Sequence, residues 1–201
     1  MVDIYSKIRT DIRPLERNQP EYEIIEKYFM GTTCKNSPVI ETFNPYKILN
    51  IFKVDRLAER ENYSIFKSMT NRKLLCHGTE HTNIVEILTH GLKIRNQRIC
   101  FTDRINYAAY ACQTYDSPPI WGKIRFIFLC EVALGRIDRW FGKVSNFICD
   151  VPLPEKKSYD STHCVGRSKP SEWKRMNLTR FERGDTFPDG DLNDCDYEIP
   201  W

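Results

Sequence analysis

No stretch of the 201-residue chain approaches the roughly 20 consecutive apolar residues that a membrane-crossing helix needs, so membrane contact is not expected. The opening residues, Met1-Val2-Asp3-Ile4-Tyr5-Ser6-Lys7, lack the apolar run of a secretory leader, and an intracellular location is expected. The eight cysteines, at 34, 76, 100, 112, 130, 149, 164 and 195, include no Cys-x-x-Cys pair. That spacing gives no ground for a structural zinc site, and a reducing compartment leaves no reason for a disulfide framework. Most of the thiols read as small buried apolar groups. Charge of one sign is also lacking: 30 Lys and Arg stand against 27 Asp and Glu, a net +3. Without a clustered basic face, direct nucleic-acid binding is not expected. Repeats and low-complexity tracts are absent too, so residues 1–201 read as a single domain, expected to be a monomer.

What is present is an ordinary apolar fraction, 41%, and 12% aromatics, enough for a packed core. β-branched residues suit an opening strand over residues 6–12. Pro20 starts a helix with Ile24, Ile25, Tyr28 and Phe29 on one stripe and Gly31 past its end. Residues 46–54 alternate as a half-buried strand, and Asp55 is placed to cap a charged helix reaching about Met69. A strand over residues 73–77 is broken by Gly78. A helix from about Thr82 to His90 stops at Gly91. Residues 99–101 read as a short strand, followed by a helix capped by Asp103 that carries Tyr107 and Tyr110. Residues 123–134 form the most strand-like segment in the chain. Beyond Gly135 short strands and long loops take over. The fold class is α+β, a sandwich or half-barrel of sheets with helices packed outside.

Three features carry chemistry. In Leu74-Leu75-Cys76-His77-Gly78-Thr79 a strand delivers a histidine and a glycine to its end. A glycine there admits a ligand to the backbone N–H and C=O, as paired recognition of a carboxamide requires, while the imidazole can hold a ribose hydroxyl. A tyrosine on the helix after Ile99-Cys100-Phe101-Thr102-Asp103 offers a flat face to an aromatic ring. At that spacing, packing on the core is the favoured reading for at least one of Tyr107 and Tyr110. Glu198 gains meaning only if the end of the chain brings it beside His77.

Together these pieces resemble the catalytic domain of the poly(ADP-ribose) polymerases, in particular the DNA-dependent nuclear branch. Further blocks follow that branch in order: Asp11-Ile12-Arg13-Pro14-Leu15, Glu23-Ile24-Ile25-Glu26-Lys27-Tyr28, Ile51-Phe52-Lys53-Val54, Asn71-Arg72-Lys73, Gly91-Leu92-Lys93-Ile94, Glu131-Val132-Ala133-Leu134-Gly135 and Gly166-Arg167-Ser168-Lys169-Pro170. The resemblance implies an ADP-ribosyltransferase-like fold, with split antiparallel sheets as a half-barrel and flanking helices. It implies NAD as substrate and a donor site lined by His77, Gly78, Thr79, Asn83, Lys93, Cys100, Phe101, Tyr107 and Tyr110. His77 would hold the nicotinamide-side ribose, and Gly78 would pair with the carboxamide. Tyr110, allowing a one-residue deletion, would stack on the nicotinamide. Asn83 and Lys93 would lie nearer the adenosine and phosphates. Glu198 would be the catalytic glutamate, with His77 as its partner. Protein acceptors and a nuclear location are further family expectations.

The chain also departs from the family. Cys100 stands where the triad tyrosine precedes phenylalanine, and a thiol cannot sandwich a ring. The serine that bonds the carboxamide falls at Tyr107 or Ala108. The loop over the donor site shortens to residues 95–98, and three residues follow Glu198. The chain shows no zinc-finger segment and no preceding helical regulatory domain, so DNA-independent activity is expected. Three readings remain open: a transferase to protein, mono- rather than poly-ADP-ribosylating; a fold kept as an NAD, ADP-ribose or protein binding module; and an NAD hydrolase.

Overall fold

The computed structural model describes residues 8–32, 46–94, 98–112, 124–140, 158–165, 168–175 and 186–194, the last two segments by backbone alone. The first strand, β1 (Thr10–Pro14), pairs antiparallel with β2 (Phe52–Arg56), from Thr10↔Arg56 to Pro14↔Phe52. The sequence suggests a longer strand over residues 46–54. A strand needs a partner, however, and β1 ends at Pro14, after which one bond from Leu15 N–H to the Ile51 carbonyl (2.9 Å) closes the pair.

Helix α1 (Pro20–Gly31) begins as expected, with proline in its first turn and Glu21 and Glu23 on the positive end of the helix dipole. It takes in Gly31 and stops at Thr32, whose N–H and hydroxyl both donate to the Tyr28 carbonyl, at 3.0 and 2.7 Å. Helix α2 (Leu57–Ser68) starts one residue later than the sequence suggests: Arg56 occupies the cap position. Asp55 stays in β2, where its carboxylate accepts both prongs of Arg60, at 2.8 and 2.6 Å. An ion pair has replaced the cap.

The central ladder is β3 (Arg72–Gly78) against β4 (Ile127–Ala133), antiparallel from Arg72↔Ala133 to Gly78↔Ile127. Asn71 sits just before it at φ 56, a left-handed conformation that asparagine tolerates. Its carbonyl accepts Leu134 N–H at 3.0 Å, and its side-chain amide donates to the Gly135 carbonyl at 3.2 Å. Helix α3 (Ile84–His90) follows a 3-10 turn, His81–Asn83, and ends at Gly91 with φ 81, the glycine stop that the sequence places there. Helix α4 (Ile105–Ala111) has Arg104, not Asp103, at its cap position, with no side-chain capping bond.

Four further strands follow among the described residues: β5 (Ile137–Trp140), β6 (Ser161–Cys164), β7 (Ser168–Arg175) and β8 (Thr186–Asp194). The main sheet runs β4-β3-β8-β7, with β1-β2 and β5-β6 as separate two-stranded sheets. The α+β class with split sheets and flanking helices therefore holds, and most pairings are antiparallel. Two are parallel, β5 with β6 and the single Lys73↔Thr186 contact of β3 with β8.

Alternation along β3 sends Leu74, Cys76 and Gly78 to one face and Lys73, Leu75 and His77 to the other. The first face meets Tyr28 of α1 and Ile105 and Ala108 of α4 in the core, flanked by Ile24, Phe29, Ile127 and Leu129. Burial pushes the thiols of Cys76 and Cys130 up to about 12 and that of Cys112 to about 11. These cysteines are protonated packing groups, in keeping with their scattered spacing in the sequence. Among the described residues no helix is long and apolar enough to cross a membrane, and no cluster of metal-ligating side chains occurs.

Candidate active site

The end of β3 is held by the segment that precedes α4. Cys76 and Thr102 exchange both backbone hydrogen bonds, at 2.7 and 2.9 Å, an isolated antiparallel bridge beside residues 99–101, which the sequence suggests as a short strand. This bridge fixes two orientations. Side chains alternate, so Phe101 shares the His77 side, and its ring centroid stands 5.7 Å from the imidazole with the planes tilted by 58°. Backbone groups alternate as well: Cys76 directs its N–H and C=O toward Thr102, away from β4. Gly78, two residues on, directs its own pair toward that same edge.

His77 Nδ1–H donates to the Cys100 carbonyl at 2.8 Å. In the neutral ring this leaves Nε2 with the lone pair, an acceptor for a hydroxyl. Cys100 therefore acts through its backbone, while its thiol side chain is exposed.

Gly78 departs from its sequence reading. Its glycine reads there as an opening for a ligand, yet a Cβ would lie 1.8 Å from the Ala108 carbonyl oxygen of α4. The space beside the Cα is taken by the helix backbone, and only the amide edge faces outward. Packing, not a left-handed φ, requires the glycine. Ala108 is thus a residue of this site that sequence reasoning does not single out. A hint is available in the small pair Ala108-Ala109, both 1% exposed, since small side chains let a helix backbone approach a strand closely.

Helix geometry separates the tyrosines from that contact. At about 100° per residue, Tyr110 lies about 200° around α4 from Ala108, and Tyr107 lies on the same outer side. Tyr107 and Tyr110 are 42% and 37% exposed, whereas Ile105, Asn106, Ala108 and Ala109 form the buried side. The Arg104 guanidinium covers the Tyr107 ring at 4.6 Å. The structure thus brings His77, Gly78, Cys100 and Phe101 together and sets Tyr107 and Tyr110 on the outside of the neighbouring helix.

The other expected residues gather around α3. Thr79 is buried, and its hydroxyl accepts from Asn83 Nδ2 at 3.2 Å. Lys93 Nζ pairs with Glu86 at 3.1 Å, with both side chains exposed. Glu198 and residues 95–97 lie outside the described residues.

One further group reads in the sequence only as a cap. Asp103 directly follows Thr102 of the bridge. Burial raises its carboxyl above the usual range, while His163, its own backbone N–H, Lys73 and Arg104 pull it down. Desolvation in turn lowers His163, opposed by the charge of Asp103 and reinforced by Lys73 and Arg139. Arg139 is the register partner of His163 across β5 and β6.

Comparisons with known proteins bear on the family and the fold. The family profile described as the poly(ADP-ribose) polymerase catalytic domain matches residues 19–198. The chain is 35% identical over 195 residues to poly [ADP-ribose] polymerase 1 of Gallus gallus, covering 90% of this chain and 18% of that protein. It is 30% identical over 184 residues to a poly [ADP-ribose] polymerase of Sarcophaga peregrina, covering 84% and 17%. To poly [ADP-ribose] polymerase 2-B of Oryza sativa subsp. japonica it is 33% identical over 178 residues, covering 83% and 27%. The chain thus spans about a sixth to a quarter of the length of these relatives. With nearly its whole length inside the profile, the chain belongs to the poly(ADP-ribose) polymerase catalytic-domain family.

Proposed function

We propose that this chain is an NAD-dependent ADP-ribosyltransferase whose donor site lies at the end of β3. The observation that carries the reading is the pairing of His77 with Gly78. One bond to the Cys100 carbonyl sets the imidazole with Nε2 as acceptor, and the adjacent Gly78 amide faces the edge of the strand. A ribose hydroxyl would donate to Nε2. A carboxamide, which has both a donor and an acceptor, would pair with the N–H and C=O of Gly78. Asn83 and Lys93 would serve the adenosine and phosphate half, with Thr79 between the two halves.

In the proposed reaction the bond between ribose C1′ and the nicotinamide ring nitrogen breaks, and nicotinamide leaves as the neutral base with the electron pair. Positive charge develops on the sugar. A nucleophilic oxygen of the acceptor forms the new bond to C1′ and gives up its proton. Glu198, the residue at which the family match ends, is the proposed carboxylate that stabilises this charge and takes the proton. Acceptors are proposed to be proteins, with addition of single units rather than chains.

A specific observation favours a second reading, a binding module. Cys100 offers no ring to the nicotinamide, and Tyr107 and Tyr110 sit on the outer side of α4. One lost stacking face and one lost hydrogen bond, at about 1 kcal/mol each, amount to about thirtyfold in rate. Such a loss slows a transferase without abolishing it, so the enzymatic reading stands first.

Incubation with NAD labelled in the ADP-ribose half tests the choice. The expected result is label on protein, reduced at least a hundredfold in Glu198→Ala, about the cost of removing one transition-state charge contact. Label released only as free ADP-ribose would make the chain a hydrolase. Binding with no turnover in either protein would leave the binding module.

A further inference from the structure

Arg56 closes β2 with its side chain 10% exposed. Its Nε donates to the Leu88 carbonyl at 3.1 Å, its Nη2 to the Thr89 carbonyl at 3.2 Å, and its Nη1 to Glu59 at 2.6 Å. Thr10, the register partner of Arg56 across β1 and β2, donates its hydroxyl to the same Leu88 carbonyl at 2.6 Å. The last carbonyls of a helix have no partner within it and carry its negative pole. A planar guanidinium takes two of them in one rigid arrangement that lysine cannot reproduce.

The contact continues past the helix end. Gly91, at φ 81, returns its N–H to the Ile87 carbonyl at 2.7 Å, and a Cβ on it would lie 2.4 Å from Arg56 Nη1. The guanidinium therefore lies against the Gly91 Cα. Leu88, Thr89 and Gly91 are fixed by one side chain immediately before Leu92 and Lys93. The side-chain hydrogen-bond partners of Arg56 among the described residues lie on α2 and α3, and none is a residue of the His77–Gly78 half.

We infer that Arg56 is a positioning residue for the adenosine half of the donor site: it touches no substrate, but through the end of α3 it sets where Lys93 stands relative to His77. This inference rests on the donor-site reading above. It predicts a selective effect. A ligand that spans both halves senses Arg56, whereas a ring that occupies only the His77–Gly78 half does not.

Calorimetric titration of the full chain with NAD, ADP-ribose and benzamide tests this. Arg56→Lys keeps the charge and loses the fork. It is expected to weaken NAD and ADP-ribose about tenfold while benzamide stays within about twofold, with KM for NAD raised and kcat held. Thr10→Val removes the hydroxyl that reaches the Leu88 carbonyl at 2.6 Å and the Ile8 carbonyl at 3.1 Å, leaves the Arg56 bonds in place, and should shift the same two ligands about threefold. It carries the test if Arg56→Lys does not fold. Equal losses for NAD and benzamide, or no loss for either, would overturn the inference by making Arg56 a general structural residue or an idle one. A wild-type chain that binds none of the three ligands overturns the donor-site reading, and this inference with it.

Discussion

The two halves of the proposed donor site are built from different materials. At the end of β3 the contacts are made by backbone: the Cys76–Thr102 exchange, the His77 bond to the Cys100 carbonyl, and the Ala108 carbonyl pressed on Gly78. Around α3 they are made by side chains. Lys93 and Glu86 are 53% and 44% exposed, and Asn83 bonds to Thr79 at 3.2 Å. Backbone contacts shielded by a core do not relax around a substitution, whereas an exposed ion pair is screened by water and contributes about 0–1 kcal/mol. The proposed site would thus have a stiff end suited to fixing a reacting ring and a soft end suited to gripping a flexible dinucleotide tail.

The largest effect should come from the stiff end. In Gly78→Ala the new methyl would meet backbone at 1.8 Å, and neither α4 nor β3 can yield without moving the core around Cys76 and Ala108. The expected loss is about 3 kcal/mol or more, read as a fall in the urea midpoint together with loss of benzamide binding. A Gly78→Ala variant with near wild-type stability would mean that packing does not define this half.

Sequence reasoning reaches furthest where the signal is local. The strand over residues 73–77 broken by Gly78, Pro20 opening α1 and Gly91 closing α3 are local signals, and local signals decide where strands and helices end. What escapes depends on partners distant in sequence. β2 is short because β1 ends at Pro14. Asp55 is drawn from capping α2 to pairing with Arg60, and Asp103, half-buried, makes no cap for α4 but is influenced by the charges of His163 and Lys73. The tyrosines on α4 can be counted in the sequence, but which side of the helix meets β3 is decided by Ala108 and Ala109. Beyond Gly135 the strands follow no strong period, since two of their pairings are parallel contacts that no hairpin signal announces.

An intermediate effect should sharpen the contrast within the stiff half itself. Cys100 holds His77 with its carbonyl, which a substitution leaves in place, while its side chain is exposed. Cys100→Tyr should therefore leave stability nearly unchanged and add a ring beside the nicotinamide. The expected gain in NAD affinity is about 0.5–1.5 kcal/mol, up to about tenfold, with benzamide sharing it. A gain confined to ADP-ribose would place the new ring at the wrong half of the cleft.

The smallest effect belongs to the soft end, where its sign is more telling than its size. Lys93 is already engaged by Glu86, so a phosphate must compete with a carboxylate 3.1 Å away. Removing the lysine in Lys93→Ala should lower NAD affinity by about threefold and leave stability within about 0.5 kcal/mol, since the ion pair is exposed. Removing its competitor in Glu86→Ala should do the reverse and raise affinity by up to about threefold, and this gain should shrink as salt screens both attractions. Opposite signs from two neighbouring side chains identify Lys93 as a cation shared between protein and ligand. Equal signs would mean that the pair serves only to shape α3, and the soft end would then rest on Asn83 and Thr79, joined at 3.2 Å.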